Sequence, residues 1–405
     1  MQRFQVASPM IEAPPNPDLS IFVVIPAFQE TSLVKVLDSL YQCDRAGMAI
    51  EVLVVVNHSA DADDATESMS AASCQQVELF ARKYGSPSFC IRSLMLVLPV
   101  KKAGVGLARK MGMDEAVWRF RKSGNDGIII NLDADCTCAV NYFKEIALFF
   151  KTTNWEAAGI YFEHPLAECT KQEREAIIKY ELHLRYFINA QLLVGLPYAY
   201  HTVGSSMAVR SSAYQRMGGM NSRKAGEDFY FLQKFISIGV FGEILATAVF
   251  PSARSSHRVP FGTGRAMGQI LSGEEQFTYA LQSFLDLTYL SSAADKLFVG
   301  ADIETWSQGL PETVQSFFKG NNWPARLTEV VQETRSIQAF RKRFLQYFDA
   351  FQLMKYVHHC RQWYPDQQVY PEALKLATSL GLPASKCDPS RLLHWYRQRD
   401  KSRVG

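Results

Sequence analysis

The chain has 405 residues, of which 47% are hydrophobic and 20% charged; this is more than one core usually holds, so two cooperating domains are expected. Such a composition excludes a disordered chain and a small disulfide scaffold. Forty-three basic against forty acidic residues leave a formal charge of +3, too small an imbalance to make nucleic acid or a strongly acidic surface the default partner.

Residues 1–19 form an extended lead-in punctuated by Pro14, Pro15 and Pro17, without the apolar stretch of a signal peptide. No later segment approaches the roughly 18 uninterrupted apolar residues of a membrane span. The eight cysteines (43, 74, 90, 136, 138, 169, 360 and 387) lack paired spacing, and Cys136-Thr137-Cys138 is too tight for an ordinary zinc half-site. Reduced thiols in a cytoplasmic protein are the expectation.

Ile21 to Ile25 is a short apolar run bounded by Pro26, the profile of a buried parallel strand. Leu33, Val36, Leu37 and Leu40 recur at helical spacing, and Glu51 to Val56 reads as a second buried strand ending at Asn57-His58-Ser59. The alternation repeats with a strand over Ser93–Leu98, a helix over Val105–Phe120 and a strand over Gly127–Leu132 that ends in Asp133-Ala134-Asp135. Such alternation predicts an α/β fold with a mainly parallel sheet wrapped by helices. Ligands of open sheets of this kind sit beyond the carboxyl ends of the strands, where three polar turns converge. A strand over Ile244–Phe250 and a helix over Phe229–Ile238 follow. From about Gly264 the pattern becomes helical, as in Ala339–His358, and Gly320 to Pro324 reads as a loop.

Asp133 and Asp135 can present oxygen ligands to a hard divalent ion and to a ribose hydroxyl. The string alone is weak, because eighteen aspartates generate about one Asp-x-Asp by chance. A second copy, Asp61-Ala62-Asp63, lies in a polar stretch where Asp61, Asp63 or Asp64 is placed to cap the next helix. Only the later copy ends a buried strand.

From about Ser20 to Phe261 the chain resembles the family 2 glycosyltransferases, whose catalytic domain has the GT-A fold. The motifs that carry the resemblance are VVIPAFQE at 23–30, VVVNHSADADD at 54–64, KKAGVGLARKMG at 101–112, LDAD at 132–135, GSSMAVRSSAYQRMGGM at 204–220 and AGEDFYFLQKF at 225–235. The resemblance implies a GT-A catalytic domain over 20–262, a helical region over 263–405, and transfer of a sugar from a nucleotide diphosphate sugar to an acceptor hydroxyl. Pro26, Ala27 and Glu30 match the turn that contacts the nucleoside, and Asn57 the base-contacting end of the second strand. There the family more often shows an aspartate pair, which leaves the base open between UDP, favoured, and GDP.

A divalent ion, Mn²⁺ or Mg²⁺, held by Asp135 would neutralise the departing diphosphate, with Asp133 facing the ribose or the ion's water shell. The acceptor hydroxyl must lose its proton, and in the acidic pair Glu227-Asp228 the general base is expected to be Asp228; both would otherwise be solvated charges at a helix start. His257 is a candidate third metal ligand. Arg254, Arg258 and Arg265, interleaved with Gly262-Thr263-Gly264, suit a diphosphate clamp or a plain basic loop.

Gly104-Val105-Gly106 fails the dinucleotide pattern, because Arg109 stands at its third small position. Lys102, Gly104 and Arg109 are instead read as nucleotide-side contacts at a helix start. Gly204 and Ser205 correspond to the stretch near the donor sugar, and Tyr198, Tyr200 and His201 are stacking candidates or core. The Gln-x-x-Arg-Trp signature of processive synthases is absent, so single-sugar transfer, as in polysaccharide biosynthesis, is favoured. The acceptor, a glycan, a lipid-linked group or a small molecule, is not legible, and peripheral membrane association stays open. The resemblance thus implies a metal-dependent, inverting transferase; the alternatives are a retaining transferase on the same fold, a nucleotidyltransferase, and a nucleotide-sugar binder without turnover.

Overall fold

A computed structural model describes residues 9–31, 33–223, 226–256, 262–300, 302–320, 322–383 and 387–403. The chain divides into a sheet unit, Met1–Thr170, Thr202–Arg265 and Asp400–Gly405, and a helical unit, Lys171–His201 and Ala266–Arg399. The expected division at 262/263 lies close to the later break, but Lys171–His201 groups with the carboxyl-terminal helices.

In the sheet unit the described elements run β1 (Leu19–Ala27), α1 (Leu33–Tyr41), β2 (Ala49–Ser59), α2 (Asp64–Tyr84), β3 (Phe89–Leu98), α3 (Val105–Ser123), β4 (Ile128–Asn131), β5 (Cys136–Cys138), α4 (Tyr142–Thr152) and β6 (Ala157–Phe162). After α5 (Lys171–Leu193), which belongs to the helical unit, come β7 (Met207–Arg210), α6 (Ser211–Arg216), α7 (Glu227–Ile236) and β8 (Phe241–Pro251). One eight-stranded sheet has the order β3-β2-β1-β4-β7-β6-β8-β5. Strands β1 to β4 are parallel, β7 runs against both β4 and β6, β6 and β8 are parallel, and β5 is antiparallel to β8. This is the mainly parallel, Rossmann-like sheet expected of a GT-A domain.

Burial explains the strands. β1, β2, β4 and β6 are covered almost throughout, so their sequences are continuous apolar runs rather than alternations. β1 continues through Pro26, where the sequence suggested a stop. Its partner β4 ends opposite Val24, and only β2 accompanies β1 as far as Ala27, so Pro26 needs no donor toward β4. β1 and β4 thus part just before the turn that carries Asp133 and Asp135.

The helical unit is built on α5 and on helices Thr288–Phe298, Glu312–Gly320, Trp323–Glu333, Ile337–Tyr347, Ala350–His359, Val369–Ser379 and Pro389–Lys401. The segment read as one helix over 339–358 is two, because Asp349 interrupts it and accepts from the N–H of Gln352 as a new amino-terminal cap. The expected loop at 320–324 is also shorter. Asn322 precedes a helix that begins at Trp323, and Trp323 is fully buried with its ring 4.5 Å from that of Phe318. Trp306, Phe317, Phe318 and Trp323 are core residues of this unit. Among the described residues no helix is long and apolar enough to cross a membrane.

Candidate active site

The acidic doublet is displayed by a tight turn. Leu132 continues the line of β4 by donating to the carbonyl of Val24 (3.1 Å), and the N–H of Cys136 returns to the carbonyl of Asp133 (3.0 Å). Buried Ala134 points inward, while the carboxylates on either side are 38% and 32% exposed at Asp133 and Asp135. Both thus stand at the carboxyl edge of the sheet, partly in water, as ligand-binding groups must.

Arg109 organises the first half of the site. It lies on the same buried face of α3 as Gly112, Met113 and Ala116, so its charge needs partners inside the protein. Nη2 donates to Oδ1 of Asp133 at 2.6 Å, and Nη1 donates to Oε1 of buried Glu227. Burial opposes the charge of Arg109, but Asp133, Glu227 and Asp228 outweigh it and hold its pKa above the ordinary value. A Cβ at Gly204 would lie 2.6 Å from Nη1, so a side chain there would displace the guanidinium from its place.

Glu227 and Asp228 open α7, which follows Gly226 in a left-handed conformation (φ 71°). Burial raises the pKa of both carboxyls, and Arg109 partly offsets it. Asp228 is fixed by the N–H of Gly204 to Oδ2 (2.9 Å) and by its neighbour's N–H, Phe229, to Oδ1 (2.8 Å). Ser205, next to Gly204, is buried.

The second half pairs residues 224 positions apart. Arg254, just beyond β8, directs Nη1 to Oε1 of Glu30 (2.7 Å) and Nη2 to Oε2, while Nε reaches Oδ2 of Asp135 at 3.3 Å. The hydrogen bonds that Arg254 donates to Glu30 raise its pKa against the effect of burial. Cys136, fully enclosed beneath the doublet, is pushed far above the usual thiol range by burial and by Asp135 and Asp133.

Asn57 is buried and its amide donates to the carbonyl of Ala27 (3.0 Å), tying β2 to the end of β1. Pro26 and Ala27 are likewise buried within β1. Lys102 is exposed in the turn before α3, and Gly104 is the residue preceding that helix. Tyr198, Tyr200 and His201 fall in the helical unit, Tyr198 buried there. His257 and Arg258 lie outside the described residues. Asp63 accepts from the N–H of Thr66 at 2.9 Å and caps α2, so the earlier Asp-x-Asp is a helix start.

The ion pairs of Arg109 and Arg254 were not evident from sequence. Arg109 carried a usable signal, a charge on the apolar face of a helix. Glu30 with Arg254 carried none, since a strand-end glutamate and a distant loop arginine meet only through the fold.

No family model and no curated protein matches the chain. Solved structures are similar to it at low identity. The TarS 1–349 structure from S. aureus in complex with UDP-GlcNAc is 15% identical with a TM-score of 0.42, covering 78% of this chain and 91% of that one. The complex of the same protein with UDP gives 14% and 0.39, covering 85% and 91%. GalNAc-T7 with UDP, GalNAc and Mn²⁺ gives 13% and 0.38, covering 75% and 54%.

Among the described residues no group of three or more His, Cys, Asp or Glu side chains is arranged to hold a metal ion. Asp135 nonetheless fits one as a single ligand. It offers hard oxygens, is partly exposed and already attracts a cationic group.

Proposed function

We propose that the protein is a divalent-cation-dependent, inverting glycosyltransferase that moves a sugar from a nucleoside diphosphate, UDP favoured, to an acceptor hydroxyl. The observation that carries this reading is the charge balance at the carboxyl ends of the strands. Among the described residues, Glu30, Asp133, Asp135, Glu227 and Asp228 gather around two guanidinium groups, Arg109 and Arg254. A site with surplus carboxylates repels a diphosphate, unless a divalent ion joins the two. An acid-rich crevice at this place in an open sheet therefore suits a substrate that arrives with a metal.

Each residue then has a task. Asp135 would hold Mn²⁺ or Mg²⁺, which supplies Lewis-acid stabilisation of the departing diphosphate. Asp133, oriented by Arg109, faces the ribose side. Asp228 is the general base; its two backbone hydrogen bonds fix the carboxylate and leave lone pairs for the acceptor hydroxyl. Burial keeps its proton affinity high, which suits a group that must take a proton during attack. Glu227 is committed to Arg109 and acts as a positioning residue. One open carboxylate acting as base supports inversion.

A thermal-shift screen of UDP- and GDP-sugars with and without Mn²⁺ tests the reading, because a preferred donor stabilises by mass action. The expected result is stabilisation by one donor class only when Mn²⁺ is present, followed by transfer or slow hydrolysis with an inverted anomeric proton signal by NMR. Retained configuration would contradict inversion. Tight donor binding with no turnover, even to water, would make the protein a binder.

A further inference from the structure

Arg254 reaches Glu30 and Asp135 in unequal ways. Both terminal nitrogens engage the two oxygens of Glu30, whose side chain is 3% exposed, and such a fork fixes the plane of the guanidinium. Glu30 is too buried to lose its counter-charge cheaply, so this fork is an anchor. The contact with Asp135 is single, made through Nε, and long at 3.3 Å, in a place where both partners are about a third exposed. It is the contact that can exchange.

Resting on the transferase reading, we propose that Arg254, held by Glu30, is a resident counter-ion of Asp135, and that it makes cation binding conditional on the nucleotide diphosphate. A divalent ion and a guanidinium beside the same carboxylate repel each other. A diphosphate relieves that repulsion, since its oxygens coordinate the ion and accept hydrogen bonds from arginine. Cation and diphosphate therefore enter as a pair, and Glu30 serves as the positioning residue for Arg254 rather than as a nucleoside contact. Linkage makes the effect reciprocal: UDP tightens Mn²⁺ binding by the factor with which Mn²⁺ tightens UDP.

Mn²⁺ binding to the full chain is read by electron paramagnetic resonance of the free ion, with and without UDP or GDP, for wild type, Arg254→Gln and Glu30→Gln. In wild type, Mn²⁺ alone should bind weakly, and UDP should tighten it within the range of about 5–150-fold typical of coupled sites. Arg254→Gln should bind Mn²⁺ alone several-fold more tightly than wild type, with the nucleotide effect correspondingly reduced. Glu30→Gln should move in the same direction, because it releases the fork. Unchanged Mn²⁺ affinity in both variants without nucleotide, or wild-type affinity as high without UDP as with it, overturns the counter-ion role and leaves the transferase reading standing. No Mn²⁺ bound by any of the three proteins even with UDP or GDP overturns both.

Discussion

In the helical unit Glu181 is fully buried and meets Arg185 and Arg397, while in the sheet unit Asp133 meets Arg109, Asp135 meets Arg254, and both carboxylates keep about a third of their side chains in solvent. The first arrangement is enclosed, like that of Asp286, which accepts from Thr313 (2.6 Å) and Tyr364 (3.2 Å). The second is half-open at the edge of a sheet. The difference teaches where function lies. Enclosed pairs hold helices together, whereas pairs with an open side can trade a protein partner for a ligand.

The comparison breaks first at Asp228. Asp228→Asn should lower transfer by about 10²–10⁴-fold, the usual worth of a general base, with Mn²⁺-dependent UDP affinity unchanged by calorimetry; wild-type turnover would remove the residue from the chemistry. The raised pKa of Asp228 adds a sign. The base works only when deprotonated, so kcat should climb as pH rises through a midpoint higher than that of an ordinary aspartate, and Asp228→Asn should flatten that limb.

Arginine removal separates the two kinds of pair. Arg109→Met leaves Glu227 buried without its partner and should cost about 3–5 kcal/mol in denaturant unfolding, together with nucleotide binding. Arg185→Met leaves Glu181 with Arg397, so it should cost less and spare nucleotide binding. Equal effects of the two variants on nucleotide binding would erase the distinction.

His183 tests the helical unit by pH. Burial lowers its pKa from 6.5 to about 4, and its Nδ1 lies 2.9 Å from the hydroxyl of Thr278. Below pH 6.5 the unfolded chain binds a proton that the folded chain refuses until about pH 4. Stability is therefore full above 6.5 and falls on acidification, by about 3 kcal/mol across the window. His183→Gln should remove that part of the pH dependence in unfolding monitored between pH 7 and 4.

The smallest effect is expected at the cap of α2. Asp63→Ala should lower the unfolding midpoint only slightly, through loss of the cap, and leave nucleotide binding untouched. Loss of that binding would return the earlier Asp-x-Asp to the site.

Much of the sheet was legible because its buried parallel strands are continuous apolar runs, such as Val52–Val56 and Ile128–Ile130. The two Asp-x-Asp strings were separable for the same reason, since only one follows a buried strand. The reversal of β7 was not legible, because Met207–Arg210 is short and carries no directional mark. Nor was the helical nature of Trp323–Glu333, where Pro324 reads as a breaker but occupies the first turn, a position in which its missing N–H costs nothing. Partners of buried charges were the least legible. Glu30 follows β1 and Arg254 follows β8, strands that are not neighbours in the sheet, and no local pattern encodes such a pairing.

Calorimetric titration of UDP into wild type, Asp135→Asn and Asp63→Asn, each with and without Mn²⁺, tests most directly whether the doublet after β4 receives a metal-bound diphosphate. Asp135→Asn should lose the Mn²⁺-dependent part of the affinity while Asp63→Asn keeps it in full. Equal retention in both variants would contradict the assignment.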